Sequence, residues 1–226
     1  GQKTYNGVAI LARDRPIGEV QYGIPGFEDE QKRVIAATVG DVRIVNLYVV
    51  NGQAVGTDKY AYKLRWLAAV RDWLAAELQR HPRMVVLGDF NIAPDARDVH
   101  DPTLWNEGHI LTSAAEREAL VRLQALGLHD AFRLHSEEAG IFSWWDYRQA
   151  AFRRNLGLRR AVDLQSAEAH PRGDNPLALP VAHVRQREER GGDDREGKQD
   201  EEELAHGQPA AVHSHSMVAG GLELTS

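Results

Sequence analysis

The end of one short apolar run carries the densest chemistry in this 226-residue chain. Residues 84–87 are wholly apolar and give way to Gly88, Asp89, Phe90 and Asn91. In an extended segment, residues two apart project to one side, so Asp89 and Asn91 are expected to face together. A carboxylate and an amide so placed offer hard oxygen ligands for Mg²⁺, and hydrogen-bond partners for a phosphate or a water. Gly88, without a side chain, lets a ligand approach the backbone. The same residue types also form turns after strands, and that plainer reading stands beside the chemical one.

Tyr48 closes another β-branched run and precedes Asn51 and Gly52. Its ring can be core with the hydroxyl at the surface, or its phenol can bind a phosphate oxygen; spacing does not choose between them. Residues 141–148 pack Phe142, Trp144, Trp145 and Tyr147 beside Asp146 and Arg148. Neighbours on a strand face opposite ways, so Trp144 and Trp145 cannot enter one core layer together. At least one is expected at a surface, where an indole can stack on or wedge beside a nucleotide. Arg148, Arg153, Arg154, Arg159 and Arg160 follow closely, offset between 141 and 160 by Asp146 alone. A basic stripe beside aromatics is the footprint of phosphate-backbone contact. His213 and His215 have no carboxylate or thiolate nearby in the sequence, so no metal site is expected there.

These groups need a scaffold. Residues 8–12, 34–39 and 42–48 read as strands, the last two joined by a Gly40-Asp41 hairpin turn. Tyr60, Leu64, Leu67, Val70, Leu74 and Leu78 recur at helical spacing, and Pro82 stops that helix. A second helix opens on a Ser113-to-Glu116 capping box, carries Leu120 and Leu123, and ends at Gly127. Strands alternating with helices imply a layered α/β domain.

Composition sets the limits. The chain has no cysteine, which excludes disulfides, thiolate zinc sites and thiol nucleophiles. No apolar run reaches the roughly 18 residues that a membrane helix needs, and no secretory signal is visible, so a cytoplasmic location is expected. Net charge is −6, yet residues 1–160 hold 21 basic and 20 acidic side chains, and the remainder 6 and 13. All 16 aromatic residues lie at or before Phe152. Two parts follow: a catalytic-type segment over 1–160, and an acidic tail over 161–226 too poor in apolar surface to offset its ordering entropy.

Taken together, the segments GVAILAR (7–13), GFEDEQKRVIAATVG (26–40), IVNLYVVNG (44–52), VVLGDFNIAP (85–94), DVHDPTLW (98–105), GLHDAFR (127–133) and FSWWDYRQAAFRRNLGLR (142–159) resemble the exonuclease III family of DNA-repair nucleases. They keep family order and spacing. The resemblance implies the endonuclease/exonuclease/phosphatase fold, an α/β two-sheet sandwich flanked by helices. It implies Mg²⁺-assisted phosphodiester hydrolysis, with Mn²⁺ as a substitute ion, on double-stranded and abasic-site DNA by a monomer. Tyr48 matches the phosphate-contacting tyrosine, Asp89 the proton-handling aspartate, and Asn91 its phosphate-orienting partner, with Asp89 and Asn91 at the metal. Phe142 and Trp144 match positions flanking the sugar, and Arg148 and Arg154 fall where DNA passes.

The departures are equally specific. The family's metal-binding Glu lies upstream of a GQK-like segment, and this sequence starts at Gly1-Gln2-Lys3. After Gly157 the family continues Leu-Arg-Ile-Asp and ends in a Ser-Asp-His segment. Here the text reads Leu158, Arg159, Arg160, Ala161, Val162, Asp163, and no Asp-His pair occurs. Asp163 is the candidate substitute for the family aspartate, displaced by one or two positions. A shifted reading frame after about residue 160 accounts for such a break. The expectation is a fold incomplete at both ends, folding only in part, with little or no turnover. The alternatives are another phosphodiesterase of the same fold acting on lipid or inositol phosphates, or a DNA-binding remnant without catalysis.

Overall fold

The computed structural model describes residues 6–169. The expectations for residues 170–226, including the acidic tail and His213 and His215, lie outside them.

The central hairpin forms where the β-branched runs predict it. Strand β2 (Val34–Val39) pairs antiparallel with β3 (Val42–Tyr48), with Val39 opposite Val42 across the turn. Gly40 takes φ +63°, which a two-residue turn of this kind requires. Helix α1 (Asp58–Arg80) starts on Thr57, whose side chain accepts from the Tyr60 amide, and ends at His81 before Pro82. Strand β4 (Met84–Asp89) then lies parallel to β3, the α1 crossover supplying the connection that parallel strands need.

The buried stripe of α1 is not purely apolar. Tyr60, Trp66, Leu67, Val70, Trp73 and Leu74 are buried, but so are Lys63 and Glu77, while Leu64 and Leu78 are half-buried. Each charge has a partner: Glu77 pairs with Arg43 of β3, and Lys63 with Glu116 of α2 (Ala114–Gln124). The capping box is present, with Ser113 accepting from the Glu116 amide and Glu116 accepting from that of Ser113. Trp66, Leu67, Val70 and Leu74 share one core with Ala36, Val45, Leu47, Val86 and Leu164.

Two strand assignments change. Residues 8–12 form no ladder; the Ala9 carbonyl is taken by the Asn46 side-chain amide at 2.9 Å instead of a neighbouring strand. The additional strand is β1 (Ile17–Tyr22), paired to β2 and mostly exposed, with a register shift between Gly18 and Gln21 where Glu19 adopts φ +48°. Exposure on both faces removes the alternation that would reveal it.

The fold also runs past residue 160. Strand β5 (Leu128–Asp130) is followed by a two-stranded ribbon of β6 (Trp144–Trp145) and β7 (Gly157–Leu158), then by β8 (Leu164–Ser166). The main sheet has the order β1-β2-β3-β4-β8-β5, so β8 is an interior strand that fastens β5 to β4. Val162 and Leu164 are fully buried. Ordered strand structure thus continues past the expected boundary at 160: alternate apolar residues at 162 and 164 suffice for a short strand between two existing edges. The α/β class holds, with helices packed on a mixed six-stranded sheet and a smaller second sheet beside it.

Candidate active site

Strands β3 and β4 end side by side, and Tyr48 stands opposite Asp89 in their register. The approach is close because residue 88 is glycine. A Cβ at Gly88 would sit 2.0 Å from the Leu47 carbonyl oxygen, and its φ of +133° suits no L side chain. Asp89 and Asn91 do converge, but not by strand alternation. Asn91 adopts φ +49°, and its amide donates to Asp89 Oδ1 at 3.0 Å, so a turn folds the two side chains together. The turn-forming reading of this segment therefore holds, and the turn is what brings the two side chains together.

Lys63 braces that turn from beneath. Its buried ammonium donates to the Asn91 carbonyl at 2.7 Å and the Asn51 carbonyl at 3.2 Å, and pairs with Glu116. Burial pushes the Lys63 pKa down, against the upward pull of the Glu116 carboxylate. The Asn91 side-chain amide donates to the Val49 carbonyl at 2.9 Å, which leaves Oδ1 facing the site.

Arg160 fills that position. Its backbone is stitched beside β4: the Phe90 amide donates to the Arg160 carbonyl, and Ser143 Oγ accepts from the amides of Arg160 and Ala161. Nη1 donates to Asn91 Oδ1 at 2.7 Å, and Nη2 lies 3.0 Å from Asp89 Oδ2. The guanidinium carbon sits 4.3 Å from the Trp144 ring centroid, and the residue is 2 % exposed. Arg159, its neighbour, turns the other way and pairs with Asp98 at 2.6 Å and Asp130 at 2.7 Å, where Arg133 also reaches Asp98. The expected basic stripe thus loses its last two members to the interior, one on each face of the extended chain. Arg148 is tied to Asp146 at 3.0 Å, while Arg153 and Arg154 remain exposed.

The aromatic segment divides as strand alternation requires. Trp144 covers Arg160, whereas Trp145 meets Phe142 edge-on at 6.4 Å and Phe152 at 5.1 Å. Phe142 therefore sits in the Trp145 cluster, against Gly157, where an added Cβ would lie 2.7 Å from it. Tyr48 is half-buried beneath the Arg33 guanidinium, 4.7 Å from its ring centroid. Asp163 is not brought to Asp89. Ala161 bridges Asp89, and Asp163 lies two residues further on, about 7 Å by strand rise. There the Asp163 carbonyl accepts from the Ala131 amide. Burial, with Asp130 nearby, pushes its carboxyl up to about 6 against the pull of Arg159.

These residues do not fit a divalent ion as they stand. Asp89 Oδ1 is engaged by an amide, and Asp89 Oδ2 and Asn91 Oδ1 both face a guanidinium. Among the described residues no cluster of three or more His, Asp or Glu could hold a metal. Sequence reasoning missed Lys63, Ser143, Glu116 as a charge partner, and Arg160 as a site residue. Arg160 had one usable signal, since adjacent arginines on a strand must face opposite sides.

Comparison with known proteins places the chain among related sequences and folds. Residues 1–159 match the Endonuclease/Exonuclease/phosphatase family. An exodeoxyribonuclease of Bacillus subtilis is 32% identical over 160 residues, covering 70% of this chain and 62% of that protein. Exodeoxyribonuclease III of Haemophilus influenzae is 32% identical over 171 residues, covering 70% and 64%. The chain thus spans less than two thirds of the length of these relatives. A 3′ phosphatase from Neisseria, solved with a product DNA hairpin, superposes with a TM-score of 0.66 at 44% identity, covering 68% of this chain and 60% of that one. An AP endonuclease from Archaeoglobus fulgidus gives 0.63 at 30% identity, covering 67% and 59%. The chain belongs to the Endonuclease/Exonuclease/phosphatase family, and the relatives it resembles there include exodeoxyribonucleases.

Proposed function

We propose that this chain carries the DNA-binding and phosphodiester-cleaving segment of an exodeoxyribonuclease III-type repair nuclease, acting on 3′ ends of duplex DNA and beside abasic sites. The observation that carries the reading is that Tyr48 and Asp89 end two paired parallel strands opposite each other, with Asn91 turned onto Asp89 and Trp144 against the arginine that contacts both. The phenol of Tyr48 binds a phosphate oxygen, Asp89 handles the proton of the attacking water, and Asn91 orients the phosphate through Arg160, whose guanidinium donates to its Oδ1. Trp144 flanks the sugar, with Phe142 reaching it from the Trp145 cluster, and Arg148 and Arg154 meet backbone phosphates. Each contact suits double-stranded DNA approached by a single copy of the chain. Mg²⁺, or Mn²⁺ in its place, is the ion such hydrolysis uses; Asp89 and Asn91 are held by Arg160 here, so no step is assigned to it.

The test is incision of an abasic-site duplex and trimming of a recessed 3′ end, with and without Mg²⁺. Asp89→Ala is expected to reduce the rate about 10²-fold or more, the usual share of a positioned acid–base group, and Asn91→Ala by about the same factor through loss of phosphate positioning. Product formation indifferent to both substitutions would refute the reading. Arg160 favours a second one, in which DNA is bound but not cut, because its guanidinium engages the groups that would do the chemistry. Duplex retention that weakens steeply with salt and gives no product under any condition would select it.

A further inference from the structure

The charge that meets Asp89 and Asn91 is supplied by the chain itself. A buried guanidinium is stable when its five N–H groups find acceptors. Arg160 falls short: Nη1 is satisfied by Asn91, but Nε and Nη2 are buried with no hydrogen-bond acceptor. Nη2 has Asp89 Oδ2 at ion-pair distance without a hydrogen bond to it. Orphaned buried donors are costly, and more so on a charged group. Nε and the outer nitrogen form the side edge of the fork, the edge that grips two oxygens of a carboxylate or phosphate in parallel.

The surroundings select phosphate. Trp144 lies over one face of the guanidinium, and the indole is only half-buried, so it forms a cover that a ligand can push aside. Ser143 Oγ fixes the Arg160 backbone from the next segment, so the guanidinium turns about an anchored main chain. Tyr48 ends its strand directly opposite Asp89 and places a phenol at the same strand ends. The Asp89 carboxylate neutralises the guanidinium while the site is empty and would repel a second anion unless Arg160 swings its free edge toward it.

We propose that Arg160 is the resident cation of this site and that it binds a DNA phosphate through Nε and Nη2 without a divalent ion. The proposal rests on the DNA reading above for the identity of the phosphate. It adds a role that neither strand register nor the family's metal chemistry supplies. Binding of phosphate is then independent of metal, dependent on the planar fork of arginine, and accompanied by a displacement of Trp144.

The test uses the full chain in EDTA, with inorganic phosphate and a 3′-phosphorylated duplex oligonucleotide as calorimetric probes, and Mn²⁺ followed by electron paramagnetic resonance. For the chain as it stands, both phosphate probes are expected to bind equally well in EDTA and in Mg²⁺, and Mn²⁺ is not held at the site. Arg160→Lys, which keeps the charge but loses the fork, should weaken both about tenfold or more. The double variant Asp89→Asn with Arg160→Gln removes both charges together and so keeps the fold readable; it should abolish phosphate binding. Phosphate quenching of tryptophan fluorescence should disappear in Trp144→Phe. Unchanged affinity in Arg160→Lys, or a stoichiometric Mn²⁺ on which phosphate binding depends, would overturn the proposal. If inorganic phosphate binds through Arg160 but the duplex does not bind, the DNA reading fails and this one survives. If the duplex binds but ignores Arg160→Lys, the reverse holds.

Discussion

Buried charge is unusually concentrated around this site, and each instance resolves differently. Lys63 and Glu116 neutralise each other beneath Asn91, so removing either would strand a charge in the core. Arg159 is shared by two carboxylates. Asp163, beside that group, is compensated only in part by Arg159, and its carboxyl is pushed up to about 6 by burial and by Asp130. The folded chain therefore keeps the Asp163 proton to a higher pH than the unfolded chain, which ionises it near the ordinary carboxylate value. Its contribution to stability is full below about pH 4 and is lost as the pH rises through about 6. Asp163→Asn is accordingly expected to stabilise the fold at pH 8 by about 1–3 kcal/mol, with the gain vanishing toward pH 4. Urea unfolding of both proteins across that range is the measurement; a gain that is equal at all pH values would show that Asp163 is not the titrating group.

At the level of elements, the site depends on how tightly β3 and β4 approach. Gly88 permits that approach, because a Cβ there would collide with the Leu47 carbonyl and the φ of +133° would be strained. Gly88→Ala should cost more than about 3 kcal/mol by combining backbone strain with a steric clash, and should shift the Tyr48–Asp89 pairing. A thermal melt within a few degrees of the parent would contradict this. Gly88 was visible in the sequence as a missing side chain, but its purpose was read as room for a ligand, whereas the strand beside it takes the space. The pattern of legibility is similar elsewhere. Strands β2, β3 and β4, helix α1 and the Ser113 capping box carry period and cap signals strong enough to read directly. Strand β1 does not, because an exposed edge has no buried face to impose alternation. Asp89 and Asn91 were legible as a pair, but a left-handed Asn91 cannot be seen in residue spacing. Arg160 and Lys63 were missed for one reason: their partners, Asp89 and Glu116, lie 71 and 53 positions away and meet them only in the fold.

For the molecule as a whole, the decisive segment is the one just past the point where resemblance weakens. Residues 161–166 leave the site at Ala161, bury Val162 and Leu164, and insert β8 between β4 and β5. Without them β5 would have no strand partner among the described residues, since its one neighbour in the main sheet is β8, which in turn pairs with β4. Asp130 sits on β5 and holds Arg159, so the loss would spread to the residue preceding Arg160. Burial of two aliphatic side chains is worth about 1.5–3 kcal/mol each, against a total stability of about 5–15 kcal/mol for a domain of this kind. A chain ending at residue 160 is therefore expected to lose cooperative unfolding and phosphate binding together. A chain ending at residue 169 keeps every described strand and should match the full chain in both. Circular-dichroism melts and phosphate calorimetry on the three lengths provide the comparison. If the 160-residue chain melts like the other two, β8 is dispensable, and the site is held by β3, β4 and the 142–160 segment alone.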